Sequence, residues 1–225
     1  INTPNDLLPF SDFTYLKEEN NQSTYHDFLK QAASIEVACL CVYPNALKNT
    51  HHSLPKKRLA TVINFPKGDH SRNNITKELE QANIAHEIDV VFPYLLFLNN
   101  KKEEAYQKMR EIISLIPKDK LIKVIIESGI YPTQTQIKEI CDFLITQPIH
   151  FIKTSTGKIN QGASVKAVKT ILLSLKSTSI GLKVSGGVKT LAAATTYIEL
   201  AQNALPQPLT AKNFRIGCSN LYTQK

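Results

Sequence analysis

Three lysines stand where lysine is costly. Lys123 lies in Leu-Ile-Lys-Val-Ile-Ile, Lys153 in His-Phe-Ile-Lys-Thr and Lys183 in Gly-Leu-Lys-Val-Ser, each inside an apolar run. A lysine is seldom fully buried, and desolvation makes its amine easier to deprotonate. Reaching substantial neutrality at pH 7 from a usual value of about 10.4 takes roughly 3 units, about 4 kcal/mol, which burial plus a neighbouring cation can supply. Lysines on adjacent strands would provide that cation, so the pattern points to a nucleophilic amine. Lys153 and Lys183 stand at or near the ends of their runs and are the better candidates. Lys123 lies early in its run, and either faces the opposite end of the fold or serves as a secondary site residue.

The acidic counterpart is Asp89 in Glu-Ile-Asp-Val-Val-Phe. A carboxylate among branched apolar residues is expensive unless partnered, so Asp89 is either a satisfied structural group or a proton-handling one. The lysine runs lead into Thr154-Ser155-Thr156-Gly157-Lys158 and Ser185-Gly186-Gly187-Val188-Lys189, and a third such loop is Gly217-Cys218-Ser219-Asn220. Glycines let backbone N–H groups approach a phosphate, which makes these loops either an anion cradle or plain tight turns. Cys41 follows an apolar run and is either a pocket thiol or, as expected, a buried inert one. The histidines His26, His51, His52, His70 and His86 have no metal-ligand spacing, and no Ser-His-Asp set can be assigned.

Such residues need elements to hold them. Short β-rich runs recur over Ile35–Val42, Leu59–Phe65, Glu87–Phe92, Leu121–Glu127, Ile149–Lys153, Ile180–Val184 and Phe214–Ile216, and an eighth is best placed at Phe10–Tyr15. Between them lie helical patterns, such as Glu103–Ile116 with Ala105, Met109, Ile112, Ile113 and Ile116 at spacings of three and four. Continuously apolar strands one βα unit apart suit a parallel sheet covered on both faces. The expected fold is an α/β (β/α)8 TIM barrel formed by one domain over residues 1–225; an open, doubly wound sheet is the alternative, since βα counting alone does not separate the two. In a barrel, polar residues at the carboxyl ends of strands are the ones to examine.

Composition fits this reading. A chain of 225 residues with 42% hydrophobic and 20% charged residues can bury a sizeable core. Its four cysteines make neither a disulfide scaffold nor a zinc pair and are expected as free thiols. The net charge of +8 suits anionic small substrates; the lysines are scattered, with no aromatic-interleaved stripe, so no nucleic acid is expected. No run approaches the ~20 apolar residues of a membrane span, and Ile1–Leu8 lacks the pattern of a secretory signal, so a cytoplasmic location is expected.

Taken in order, Asp12-Phe13-Thr14-Tyr15-Leu16, Cys41-Val42-Tyr43-Pro44, Glu87 to Tyr94, Lys123 to Glu127, Phe151 to Gly157, Lys183 to Val188 and Arg215 to Ser219 resemble the deoxyribose-phosphate aldolase family along nearly the whole chain. The resemblance implies a Schiff-base aldolase of deoxyribonucleoside catabolism, which needs no metal or other cofactor and reversibly cleaves 2-deoxy-D-ribose 5-phosphate to D-glyceraldehyde 3-phosphate and acetaldehyde. By motif position Lys153 is the Schiff-base lysine, Lys183 the neighbouring cation and Asp89 the proton relay acting with water. Gly157, Lys158, Gly186, Gly187 and Ser219 fall in phosphate loops, and Cys41, Thr14 and Asp12 are candidates for the pocket. The implied partners are a phosphorylated deoxysugar and small aldehydes, with a homodimer as the expected assembly. Lys189 and Asn220 depart from the arginine and second serine of relatives, the N-terminus leaves little room for a helix before the first strand, and the tail after Tyr222 has no secure counterpart, so no tail-dependent proton transfer is carried over. Two rivals share the barrel: another Schiff-base aldolase or transaldolase, and a catalytically silent sugar-phosphate sensor.

Overall fold

The computed structural model describes residues 3–17 and 22–220, so the tail after Tyr222 lies outside the described residues. Among these, eight parallel strands follow one another: β1 (Ser11–Tyr15), β2 (Cys39–Val42), β3 (Leu59–Ile63), β4 (Glu87–Val91), β5 (Leu121–Ile125), β6 (Phe151–Lys153), β7 (Gly181–Val184) and β8 (Phe214–Cys218). Each pairs with the next, and β8 returns to β1 through Ser11↔Ile216, Asp12↔Gly217 and Phe13↔Cys218. The sheet is therefore a closed (β/α)8 barrel, which excludes the open alternative.

Crossovers are made by α1 (Gln22–Ala33), α2 (Leu47–Ser53), α3 (Arg72–Gln81), α4 (Tyr94–Leu98), α5 (Lys102–Leu115), α6 (Gln134–Leu144), α7 (Val165–Leu175) and α8 (Leu191–Ala204). Their buried residues keep the spacing of one helix face: Ala105, Met109, Ile112 and Ile113 on α5; Ile137, Ile140, Cys141 and Leu144 on α6. Ser164 and Thr190 cap α7 and α8 by accepting from Ala167 N and Ala193 N, which fixes where the loops after β6 and β7 must end.

Strand side chains alternate between two faces, so each strand divides its residues between the helix layer and the barrel interior. In β4, Ile88 and Val90 alternate with Glu87 and Asp89, and all four are buried. The helix-facing layer carries the hydrophobic core. The interior, which in most such barrels is filled by branched apolar residues, is here filled by charged ones.

Two expectations change. The run Ile35–Val42 is a strand only from Cys39, because Ile35 and Val37 pack half-buried against the core in the approach to β2, where Lys57 Nζ donates to the Ile35 carbonyl at 2.5 Å. The segment before β1 does hold a helical piece: a 3₁₀ helix over Pro4–Phe10 buries Leu7 and sets the Phe10 ring edge-on to Phe214, 6.2 Å between centroids.

Candidate active site

Register delivers the charges to one another. Parallel pairing sets Asp89 beside Lys123, Lys153 beside Lys183 and Lys183 beside Arg215, all on the interior face. Asp89 is the hub. Its Oδ1 accepts from Lys123 Nζ at 2.8 Å, and its Oδ2 accepts from both Lys153 Nζ at 2.8 Å and Lys183 Nζ at 2.7 Å. Asp12 holds the other side of Lys183 at 2.5 Å and lies 3.3 Å from Lys123, while its Oδ1 takes Arg215 Nη1 at 2.6 Å. Glu87 completes the set, 2.5 Å from Lys123 Nζ and 3.2 Å from Arg215 Nη2.

Counting partners shows which amine is the exception. Among the described residues four buried cations, Lys123, Lys153, Lys183 and Arg215, face three buried carboxylates, Asp12, Glu87 and Asp89, and the half-exposed Arg58 also pairs with Glu87 at 2.5 Å. Full ionisation leaves positive charge in excess where desolvation is severe, and losing a proton from one amine relieves it. Among the described residues Lys123 meets three carboxylates and Lys183 meets two, whereas Lys153 meets Asp89 alone and shares that oxygen. Burial pulls Lys153 below the usual lysine range, and the charge of Lys183 adds to that pull against the opposing attraction of Asp89. For Lys183 and Lys123 burial acts the same way, but their carboxylates outweigh it and hold both above the usual range. Burial would raise Asp89 and Asp12; the surrounding cations, Lys123 foremost, override it and keep both carboxyls well below theirs.

A cleft of about 500 Å³ opens over Lys153 at the carboxyl ends of the strands, lined there by Thr156, Gly157, Gly186, Gly187 and Ser219. Gly186 and Gly187 adopt φ of 83° and 88°, a region that suits glycine, and Gly157 adopts 75°. Among the described residues the N–H groups of these three glycines donate to no protein acceptor. Three such donors on residues that line one cleft are what a cradle for an anion requires. Lys158 also lines the cleft, with its Nζ bonded to the Leu16 carbonyl and 5.9 Å from the Tyr43 ring centroid.

The structure brings Lys153, Lys183 and Asp89 together, and sets Lys153, Gly157, Lys158, Gly186, Gly187, Ser219 and Thr14 on the cleft wall. Asp12, Asp89, Lys183 and Cys41 lie fully buried and do not line the cleft. Burial pushes the Cys41 thiol up to about 11, leaving little thiolate at neutral pH. Lys123 points into the interior network, away from any site of its own. His86 and His150 serve as backbone acceptors at strand starts, taking Leu59 N at 3.1 Å and Ile122 N at 3.0 Å. Sequence reasoning passed over Glu87 and Arg215 as members of the cluster. The usable signals were Glu87 two residues before Asp89, hence on the same face, and Arg215 inside an apolar strand. Asp12, Glu87 and Cys39 Sγ also group within 4.8 Å in the way metal ligands do, but Lys123 and Arg215 already fill the space between the carboxylates.

Comparison with known proteins agrees with this architecture. The profile of the DeoC/LacD family aldolases matches residues 12–205. The deoxyribose-phosphate aldolase of Agrobacterium fabrum is 29% identical over 224 residues, covering 95% of this chain and 86% of that protein. The structure of QR15, an aldolase, superposes with a TM-score of 0.81 at 28% identity, over 95% of this chain and 91% of that one. The tetrameric deoxyribose phosphate aldolase of Aeropyrum pernix shares the fold, with a TM-score of 0.79 at 22% identity over 97% of this chain and 89% of that one.

Proposed function

The chain belongs to the DeoC/LacD family of aldolases, and on that basis we propose that it is a Schiff-base aldolase cleaving 2-deoxy-D-ribose 5-phosphate reversibly to D-glyceraldehyde 3-phosphate and acetaldehyde. The observation that supports the reading is the charge distribution around Lys153, the buried lysine of the cluster that meets the fewest carboxylates among the described residues.

In the proposed cycle neutral Lys153 Nζ attacks the C1 aldehyde of the open-chain sugar, and loss of water gives an iminium. The iminium is the electron sink. As the C3 hydroxyl loses its proton the C2–C3 bond breaks, its electrons form an enamine on Lys153, and glyceraldehyde 3-phosphate leaves. Protonation of the enamine at C2 and hydrolysis release acetaldehyde and restore the amine. Asp89 Oδ2 accepts from both Lys153 and Lys183, which supports its passing protons on. Three lysines hold it ionised, so it suits a relay acting with water better than a store that keeps the proton. The free glycine N–H groups, with the nearby Lys158, Lys189 and Ser219, suit the phosphate.

The rest of the proposal is one functional domain over residues 1–225, a role in deoxyribonucleoside catabolism, a cytoplasmic location and self-association as a homodimer. No described helix is long and apolar enough to cross a membrane. The experiment is borohydride trapping with acetaldehyde or deoxyribose 5-phosphate, followed by peptide mapping. A reduced adduct on Lys153, absent from Lys153→Leu, is the expected outcome; a folded protein with no adduct on any lysine would refute the Schiff-base mechanism.

A further inference from the structure

Two residues past β5 stands a group that the aldol chemistry does not use. Glu127 is fully buried, at φ 56° in the left-handed region that non-glycine residues seldom adopt. Such strain persists only where the surroundings over-determine it. Here they are the loop that follows Lys153. Glu127 Oε1 accepts from Thr156 N at 3.2 Å and its Oε2 from Thr156 Oγ1 at 2.5 Å, while Thr156 Oγ1 in turn accepts from Lys158 N at 3.1 Å. Beside it Ser128 N donates to Thr154 O at 2.7 Å, and a Cβ on Gly129 would lie 2.5 Å from the Gln161 carbonyl oxygen. The turn after β5 thus grips the loop after β6 at several points. Thr156, Gly157 and Lys158 line the cleft and Glu127 does not, so the carboxyl acts on the cleft from behind its wall.

Binding an anion by backbone N–H groups depends on those groups being aimed before it arrives. The dihedrals of Gly157 are free unless its neighbours are pinned, and the Glu127–Thr156–Lys158 bonds pin both sides of it. We propose that Glu127 is a positioning residue for the substrate phosphate: through Thr156 it fixes the Gly157 N–H and the start of Lys158 at the cleft, and so sets the preference for phosphorylated over unphosphorylated aldols. The inference rests on the proposed aldolase activity.

The test is steady-state kinetics with 2-deoxyribose 5-phosphate and with 2-deoxyribose. For Glu127→Ala, the ratio of kcat/KM between the phosphorylated and unphosphorylated sugars should fall about 10- to 100-fold, the scale of one charge-assisted hydrogen bond, with the loss carried by KM for the phosphorylated sugar. Glu127→Gln keeps one acceptor and should fall between. Thr156→Val removes only the bridging hydroxyl and should show the same split, which keeps the proposal testable if Glu127→Ala does not fold. Equal losses on both sugars, or no change in the ratio, would overturn it and leave Glu127 a purely structural residue. A wild-type protein that cleaves neither sugar would instead overturn the aldolase reading, and this inference with it; that failure shows before any variant is made.

Discussion

Lys153 differs from its neighbours in the number of carboxylates it meets, and in the proposed mechanism that difference makes it reactive. In that scheme its amine attacks only when neutral, so the rate should fall as pH drops through its lowered pKa. Lys183 contributes to that lowering as a like charge. Lys183→Leu should therefore raise the pKa of Lys153 and move the acid limb of the kcat/KM profile to higher pH, slowing turnover at neutral pH. An unmoved limb would show that burial alone tunes the amine. The lysines were legible in the sequence because each breaks an apolar run. The family resemblance singled out Lys153, but the apolar runs alone left it level with Lys183, because what separates the two depends on Glu87, Asp12 and Arg215, contributed by strands far apart in the chain. The sequence marks a costly residue; only the register shows who compensates it.

At the scale of elements, eight strand positions could be read from apolar runs, and their ends were less legible. Apolar residues such as Ile35 and Val37 continue past a strand when they pack against the core from an adjoining turn. The contact between loops was beyond sequence reasoning. A Cβ built on Gly162, before α7, would lie 2.2 Å from the carbonyl oxygen of Gly186, before α8, and Ala163 N donates to that same carbonyl at 3.0 Å. Backbone meets backbone there, so neither side can turn away. Gly162→Ala should displace the Gly-Gly loop, costing roughly 1–3 kcal/mol of stability as overpacking does and raising KM for the phosphorylated sugar by about tenfold. Urea unfolding and kinetics on the same sample check both, and a destabilised variant with normal KM would separate packing from phosphate binding.

For the molecule as a whole, the charged interior ties stability to pH. Asp12, Glu87 and Asp89 have folded pKa values below their unfolded ones. Their contribution is therefore fully present above the ordinary carboxylate range, near pH 4, and is lost as pH falls from there through the lowered folded values. Urea midpoints taken from pH 6 to pH 3 should reveal a loss of more than about 3 kcal/mol, and a flat profile would mean that the interior pairs contribute no net stability. One of these pairs joins the ends of the barrel: Asp12 on β1 and Arg215 on β8 are 203 positions apart. A growing polypeptide leaves the ribosome with Asp12 in its first strand and gains the matching guanidinium only with its last. Until β8 docks, the seam between first and last strands is open and water can reach the interior. The nascent chain would then carry Lys153 as an ordinary protonated lysine, and the reactivity toward aldehydes proposed for it would arise only once the barrel closes.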